Sequence, residues 1–127
     1  MNLVDSSAWL AYFGGEPSAE YFADAIEKTD RLVVPSVCLY EVFRRILSQR
    51  DENDALQAIA LMQQGNIVEL SERIALNAAQ ISVTKKLAMA DSIIFATAQA
   101  SDAVLWTQDS DFQGLENVNY FPKDKER

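Results

Sequence analysis

The 127-residue chain contains no histidine and only one cysteine. Without histidine, the commonest general base and the commonest transition-metal ligand are missing, and serine or cysteine triads built on an imidazole are excluded. The single cysteine, Cys38, rules out an internal disulfide and fits a reducing cytosol; within an apolar helical run it reads as a plain core residue. Positive charge is scarce as well. Eleven Lys and Arg against 19 Asp and Glu give 11 − 19 = −8, which argues against a surface that attracts nucleic acid everywhere. No apolar stretch approaches the roughly 20 residues of a membrane span, and the charged, strand-like N-terminus lacks a signal-peptide layout. A cytoplasmic protein without a membrane partner is therefore expected. No internal repeat or low-complexity segment is present.

What remains is an ordinary globular composition, 49% apolar and 24% charged, long enough for one core. A single domain over residues 1–127 is expected, with the charged tail 122–127 frayed. Short apolar or β-branched runs at 1–4, 31–35, 67–70, 103–107 and 118–121 read as strands. Helical patterns at 8–13, 17–29, 36–50, 53–64, 72–84 and 91–100 separate them, with Ser6 or Ser7, Ser36 and Ser71 as caps and Gly65 as a helix stop. Strands separated by helices imply an α/β, three-layer sandwich: a short, mainly parallel five-stranded sheet flanked by six or seven helices.

Five carboxylates recur where strand-like runs hand over to helices. Asp5 follows Asn2-Leu3-Val4, Glu41 lies six residues past Pro35, Asp91 opens an apolar helix, and Asp109 and Asp111 follow Val104-Leu105-Trp106-Thr107. The carboxyl ends of parallel strands form one rim, and ligands bind there. Each acid has a plainer alternative. Asp5 and Asp91 serve equally as N-caps. Glu41, close to the stripe of Leu39, Val42, Phe43 and Ile46, has Arg44 and Arg45 as intrahelical partners, worth only about 0.2–0.5 kcal/mol. The Thr107–Phe112 segment reads as an Asp/Ser-rich turn, set apart by its place directly after an apolar strand. Together the five are harder to dismiss.

Two carboxylates roughly 5 Å apart repel by about 3 kcal/mol at an effective dielectric near 20. Several in one pocket favour a bound cation, and all-oxygen ligands point to Mg²⁺ or Mn²⁺. The positive charge is unevenly placed: residues 31–50 carry Arg31, Arg44, Arg45 and Arg50 against Glu41, and Lys85-Lys86 lies just upstream of Asp91. Arg44, Arg45, Lys85 and Lys86 are thus candidates for guiding a phosphate backbone past an acidic rim, ordinary solvated charge being the alternative for each.

Asp5-Ser6-Ser7-Ala8, Tyr40-Glu41-Val42, Leu87-x-x-x-Asp91-Ser92-Ile93-Ile94-x-Ala96-Thr97-Ala98 and Trp106-Thr107-x-Asp109-x-Asp111-Phe112 resemble, in order and spacing, the motifs of PIN-domain ribonucleases. Within that family the chain resembles VapC-type toxins of toxin–antitoxin pairs, with a likeness running from Leu3 to Phe121. The resemblance implies a Mg²⁺- or Mn²⁺-dependent endoribonuclease that hydrolyses RNA phosphodiester bonds. It assigns Asp5, Glu41, Asp91 and Asp109 to the acidic quartet, Thr107 to the hydroxyl position beside the last acid, and Asp111 to a more variable metal-side position. It also implies a cognate antitoxin laid over the site, a homodimer, and contact with promoter DNA only through the antitoxin. Trp9, Tyr12 and Phe13 are candidates for apolar contacts with the antitoxin, local packing being the alternative.

Competing classes fit less well. A phosphotransfer receiver domain wants a lone Asp after the third strand, where this chain has Leu70-Ser71. A haloacid dehalogenase-type phosphatase wants two aspartates one residue apart after the first strand, and Asp5-Ser6-Ser7 lacks the second. A catalytically inactive PIN-like interaction module is the remaining alternative.

Overall fold

The structure is a computed structural model that describes residues 1–123; of the tail expected to fray, residues 124–127 lie outside the described residues. The strands are β1 (Asn2–Val4), β2 (Leu32–Pro35), β3 (Asn66–Val68), β4 (Val104–Thr107) and β5 (Val118–Tyr120). The helices are α1 (Ser6–Phe13), α2 (Ala19–Glu27), α3 (Ser36–Gln49), α4 (Glu52–Met62), α5 (Glu72–Lys85) and α6 (Met89–Ala100). Short 3-10 turns occupy Thr29–Arg31 and Ser110–Phe112. Among the described residues no helix is long and apolar enough to cross a membrane.

The five strands lie in the order β3-β2-β1-β4-β5, and all four pairings are parallel. The register is short: Leu3 faces Val33 on one side and Leu105 on the other. Chain order runs outward from β1 to β2 and β3, then returns to β4 and β5 on the opposite side. The strand order therefore reverses between β1 and β4, and a crevice opens beyond their carboxyl ends. The sheet is buried from both faces, as parallel strands require. Leu3, Val4, Leu32, Val34 and Leu105 meet Trp9, Phe22, Met62, Ile94 and Phe95 from the helices, all under 2% exposed or close to it. Each such side chain contributes about 1.5–3 kcal/mol by leaving water.

Helix α6 runs through the interior, with every side chain from Ser92 to Ala98 buried. Its hydroxyls are satisfied locally: Ser92 Oγ donates to the Met89 carbonyl and Thr97 Oγ1 to the Ile93 carbonyl, both at 2.7 Å. A helix packed this way gives its first turn a fixed place, and that turn carries Asp91.

Several local expectations are corrected. The cap of α1 is Asp5, whose Oδ1 accepts from the Ala8 N–H at 3.0 Å; Ser6 and Ser7 are inside the helix. Asp91 is not an N-cap either, because α6 begins at Met89 and Ala88 takes that position. Ser36 is the first residue of α3, after Pro35. Ser71 does cap α5, accepting from the Ile74 N–H. Gly65 does not stop α4, which closes at Gln63. Its role is space: a Cβ there would meet Val34 Cγ2 at 3.0 Å and the Leu32 carbonyl at 3.1 Å, so the absent side chain lets the chain press onto β2.

Candidate active site

Asp5 ends β1 and is 3% exposed. Its backbone N–H donates to the Trp106 carbonyl, prolonging the β1–β4 pairing by one residue. Three donors converge on its carboxylate: Ser7 Oγ at 2.8 Å and the Ala8 N–H at 3.0 Å on Oδ1, and Thr107 Oγ1 at 2.7 Å on Oδ2. Burial nevertheless pushes its pKa up to about 6, with the Asp109 charge adding to the rise; the three hydrogen bonds oppose it without cancelling it.

Thr107 ends β4, is fully buried, and bridges two acids. Its hydroxyl donates to Asp5 and accepts from the Asp109 N–H at 2.9 Å. Asp109 Oδ1 in turn accepts from the Asp111 N–H, closing the 3-10 turn that follows the strand. The loop is fastened from a second side. Gln108 Oε1 accepts from Ser18 Oγ at 2.6 Å, and the Gln108 N–H reaches Ser7 Oγ at 3.4 Å. Ser18 and Gln108 are 2% and 5% exposed, so this polar pair is inside the protein.

Asp91, Asp109 and Asp111 each bring a carboxylate oxygen to within 4.8 Å of the others. Asp91 is half-buried, and its pKa is pushed up to about 7, first by burial and then by the charges of Asp109, Asp111, Asp5 and Glu41. Glu41, on α3, is held across the crevice by Ser6, whose Oγ donates to Oε1 at 2.7 Å. The distant acids of the sequence therefore converge: Asp5, Glu41, Asp91 and Asp109 line one groove of about 1060 Å³, and Asp111 stands beside Asp91 and Asp109. Below them Cys38 is fully buried against Ser6, and burial pushes its thiol pKa up.

The donor set fits a hard divalent ion. Three carboxylates lie close enough to share one cation, and among the described residues none of them is in an ion pair, the sole pair being Lys28–Asp24. Oxygen-only ligands without His or Cys suit Mg²⁺ or Mn²⁺.

The remaining expected residues divide. Arg44 and Arg45 stand on the groove wall. Lys85 and Lys86 are exposed at the C-terminal end of α5, where they complement the helix dipole, and neither belongs to the groove lining. Trp9 is corrected to a core residue: it is fully buried and stacks on Phe13 with ring centroids 5.5 Å apart, so it offers a partner no surface. Tyr12 is half-buried and donates to Glu27 Oε2 at 3.3 Å, away from the groove lining, whereas Phe13 lies on it. Missed from the sequence were Ser6 as the holder of Glu41, Gln108 as the anchor of the acidic loop, and Tyr40 and Arg50 on the groove. Ser6 was signalled by its place beside Asp5; the Ser18–Gln108 pair, 90 residues apart, had no local signal.

The PIN domain family model matches residues 3–117. Among solved structures, a toxin–antitoxin complex from Klebsiella pneumoniae is similar with a TM-score of 0.80 and 25% identity, covering 96% of this chain and 99% of that one. VapC20 of Mycobacterium tuberculosis, a sarcin-ricin loop cleaving toxin, is similar in fold with a TM-score of 0.76 and 14% identity, over 91% and 95% of the two chains. VapBC2 from Rickettsia felis, bound to a DNA fragment from its promoter, is likewise similar in fold, with a TM-score of 0.74, 13% identity and coverage of 95% and 97%. A search of curated proteins gives no match.

Proposed function

Since this chain belongs to the PIN domain family, we propose that it is a divalent-metal-dependent endoribonuclease, the toxin of a VapBC-type pair silenced by a cognate antitoxin. The observation that carries this reading is the approach of Asp91, Asp109 and Asp111 to within 4.8 Å of one another, at the groove that Asp91 and Asp109 line together with Asp5 and Glu41. We take residues 1–127 as one working unit. The toxin–antitoxin assemblies among its structural neighbours, one of them bound to promoter DNA, support an antitoxin partner; a homodimer, and promoter contact made through the antitoxin, belong to the same proposal.

In this reading Asp91, Asp109 and Asp111 hold Mg²⁺ or Mn²⁺. Bound there, the ion supplies Lewis-acid stabilisation of charge on the transferring phosphate and activates water at neutral pH. The chain's own groups do the rest. Asp5, fixed by three donors, keeps the Thr107 hydroxyl aimed, and that hydroxyl fixes the Asp109 backbone. Glu41 has Oε1 committed to Ser6, which leaves Oε2 to take a proton from the attacking water. A bond forms from water oxygen to phosphorus as the bond to the leaving oxygen breaks, and that oxygen takes a proton from solvent in the open groove while Glu41 later returns its own proton to solvent. Arg44 and Arg45, on the groove wall, attract the flanking phosphates, and Phe13 gives the antitoxin an apolar contact.

RNA ends sequenced after brief expression of the chain test this, with Asp5→Ala and Asp91→Asn as controls. New ends with the wild type alone are expected. Identical ends in all samples sink the nuclease reading and leave an inactive interaction module.

A further inference from the structure

Tyr40 is 64% exposed on the lip of the groove, one residue before Glu41. The other aromatic ring that lines the groove, Phe13, stacks on Trp9. Tyr40 has neither a ring partner nor a hydrogen bond among the described residues. It shares α3 with Arg44, one helical turn further on, and with Arg45, while Arg50 caps the C-terminal end of that helix; all line the same groove. None of these arginines forms an ion pair among the described residues. An uncommitted aromatic face thus lines the same groove as clustered carboxylates and guanidinium groups that form no ion pair among the described residues.

We propose that Tyr40 stacks on the base of an unpaired nucleotide beside the bond to be cut, while Arg44 takes the phosphate next to it. This deepens the nuclease reading and rests on it. A strand of phosphates answers the separate demands of the groove: the scissile phosphate goes to the acid floor, its neighbours to the arginines, and one base to the aromatic face. A peptide would use the ring but would leave the juxtaposition of cations and clustered acids without a purpose. The ring also selects. In a duplex each base has both faces covered by its neighbours, so only a looped or single-stranded nucleotide can offer one to Tyr40. Every base has such a face, so the stacking discriminates unpaired from paired RNA more than one sequence from another.

The test uses the full chain and a short hairpin RNA with 2-aminopurine in its loop, beside a control with the same base paired in the stem. Binding to the Asp91→Asn protein is read by fluorescence, and loop cleavage by the active protein in Mg²⁺ under single-turnover conditions. Loop fluorescence is expected to change on binding. Tyr40→Ala should weaken loop-RNA affinity roughly ten-fold with an unaltered stem control, and Tyr40→Phe should retain it. The loss should appear in the half-saturating concentration rather than in the limiting cleavage rate. Because Tyr40 is exposed, the variant's melting temperature should stay near the wild type's, which checks the fold. Equal loop affinity for Tyr40→Ala, or an unchanged fluorescence on wild-type binding, overturns the proposal. So does a Tyr40→Ala variant that binds RNA normally but loses the co-expressed antitoxin, an outcome that assigns the ring to a protein contact. If the unsubstituted chain cuts no RNA in the end-sequencing experiment, the nuclease reading fails instead.

Discussion

Thr107 Oγ1 donates to Asp5 Oδ2 at 2.7 Å, joining the carboxyl ends of β4 and β1 at the point where the strand order reverses. The same oxygen accepts from the Asp109 N–H, so one buried hydroxyl sets the relation between the first acid of the chain and the loop carrying two others. Thr107→Val keeps the shape and removes both bonds. The stranded Asp5 oxygen and Asp109 N–H should cost about 1–3 kcal/mol, which thermal unfolding reads as a fall of several degrees. Asp5 should titrate still higher, moving the rising limb of the cleavage profile to higher pH. Thr107→Ser should restore both. A valine variant with wild-type melting and pH profile removes the hydroxyl from the argument.

The acid cluster makes the metal-free protein less stable as pH rises. Asp5 has its folded pKa at about 6 and Asp91 at about 7, both above the ordinary 3.8 of a free aspartate. Between those values the folded state binds more protons than the unfolded one, so stability declines from pH 4 towards 7. For Asp5, almost wholly buried, the decline is on the order of 3 kcal/mol; Asp91 adds to it in the same direction. In EDTA, the urea midpoint should be lower at pH 8 than at pH 5. Mg²⁺ at 100 times its dissociation constant should raise stability at pH 8 by about 2.7 kcal/mol and do less at pH 5, where protons compete for the carboxylates. A midpoint in EDTA that is higher at pH 8 contradicts the reading of these two groups.

Asp91→Asn separates the ion-holding role from a structural one. It removes a charge that four neighbouring acids oppose, in a helix that carries no other charged residue. At pH 8 in EDTA the variant should therefore unfold at higher urea than the wild type. It should also lose the response to Mg²⁺ and cleave RNA at least roughly 100-fold more slowly, since even outer-shell partners of a metal cost 10–100-fold. A variant that unfolds more easily in EDTA assigns Asp91 to stability instead.

How much of this was visible in the sequence differs from residue to residue. The alternation of strand and helix located the parallel sheet, and acids at strand ends pointed to one rim because a parallel sheet gathers those ends together. Asp5, Glu41, Asp91 and Asp109 do line a single groove. Capping was misread because Asp5 both caps α1 and faces the cluster, while Ser6 and Ser7 turn to Glu41 and Asp5. Trp9 looked available because α1 is short and aromatic, yet packing puts Trp9 in the core and leaves Phe13 on the groove. Gly65 looked like a helix stop, the commonest use of glycine there, but close approach to Leu32 and Val34 decides it. None of these choices is local: each depends on which element lies opposite.

That last case is directly testable. Gly65→Ala adds one methyl group where Val34 Cγ2 and the Leu32 carbonyl leave 3.0 and 3.1 Å. Overpacking of this kind costs about 1–3 kcal/mol, although alanine ordinarily stabilises by narrowing the unfolded ensemble. The backbone contact cannot rotate away, so destabilisation should win. A variant at least as stable as the wild type in urea would show that β2 yields more easily than its pairing with β3 suggests.

The Ser18–Gln108 pair separates its own contribution from that of the site. Both side chains are inside the protein, 2.6 Å apart, and Gln108 lies between Thr107 and Asp109. Ser18→Ala leaves Gln108 Oε1 without its donor, and Gln108→Leu leaves Ser18 Oγ without its acceptor. Each should therefore cost about 1–3 kcal/mol of stability, beyond the value of a balanced hydrogen bond. With both partners replaced, no polar atom of the pair is stranded, so the double variant should be more stable than the sum of the single losses predicts. The coupling energy should reach roughly 1 kcal/mol or more. Stability alone does not reveal the link to the acids, but Mn²⁺ affinity by calorimetry does. If the pair fixes the loop bearing Asp109 and Asp111, the double variant should bind Mn²⁺ more weakly even where its fold has recovered. Additive losses with unchanged Mn²⁺ affinity would mean that the Thr107 hydroxyl and the Asp109–Asp111 turn hold the loop without help from α2.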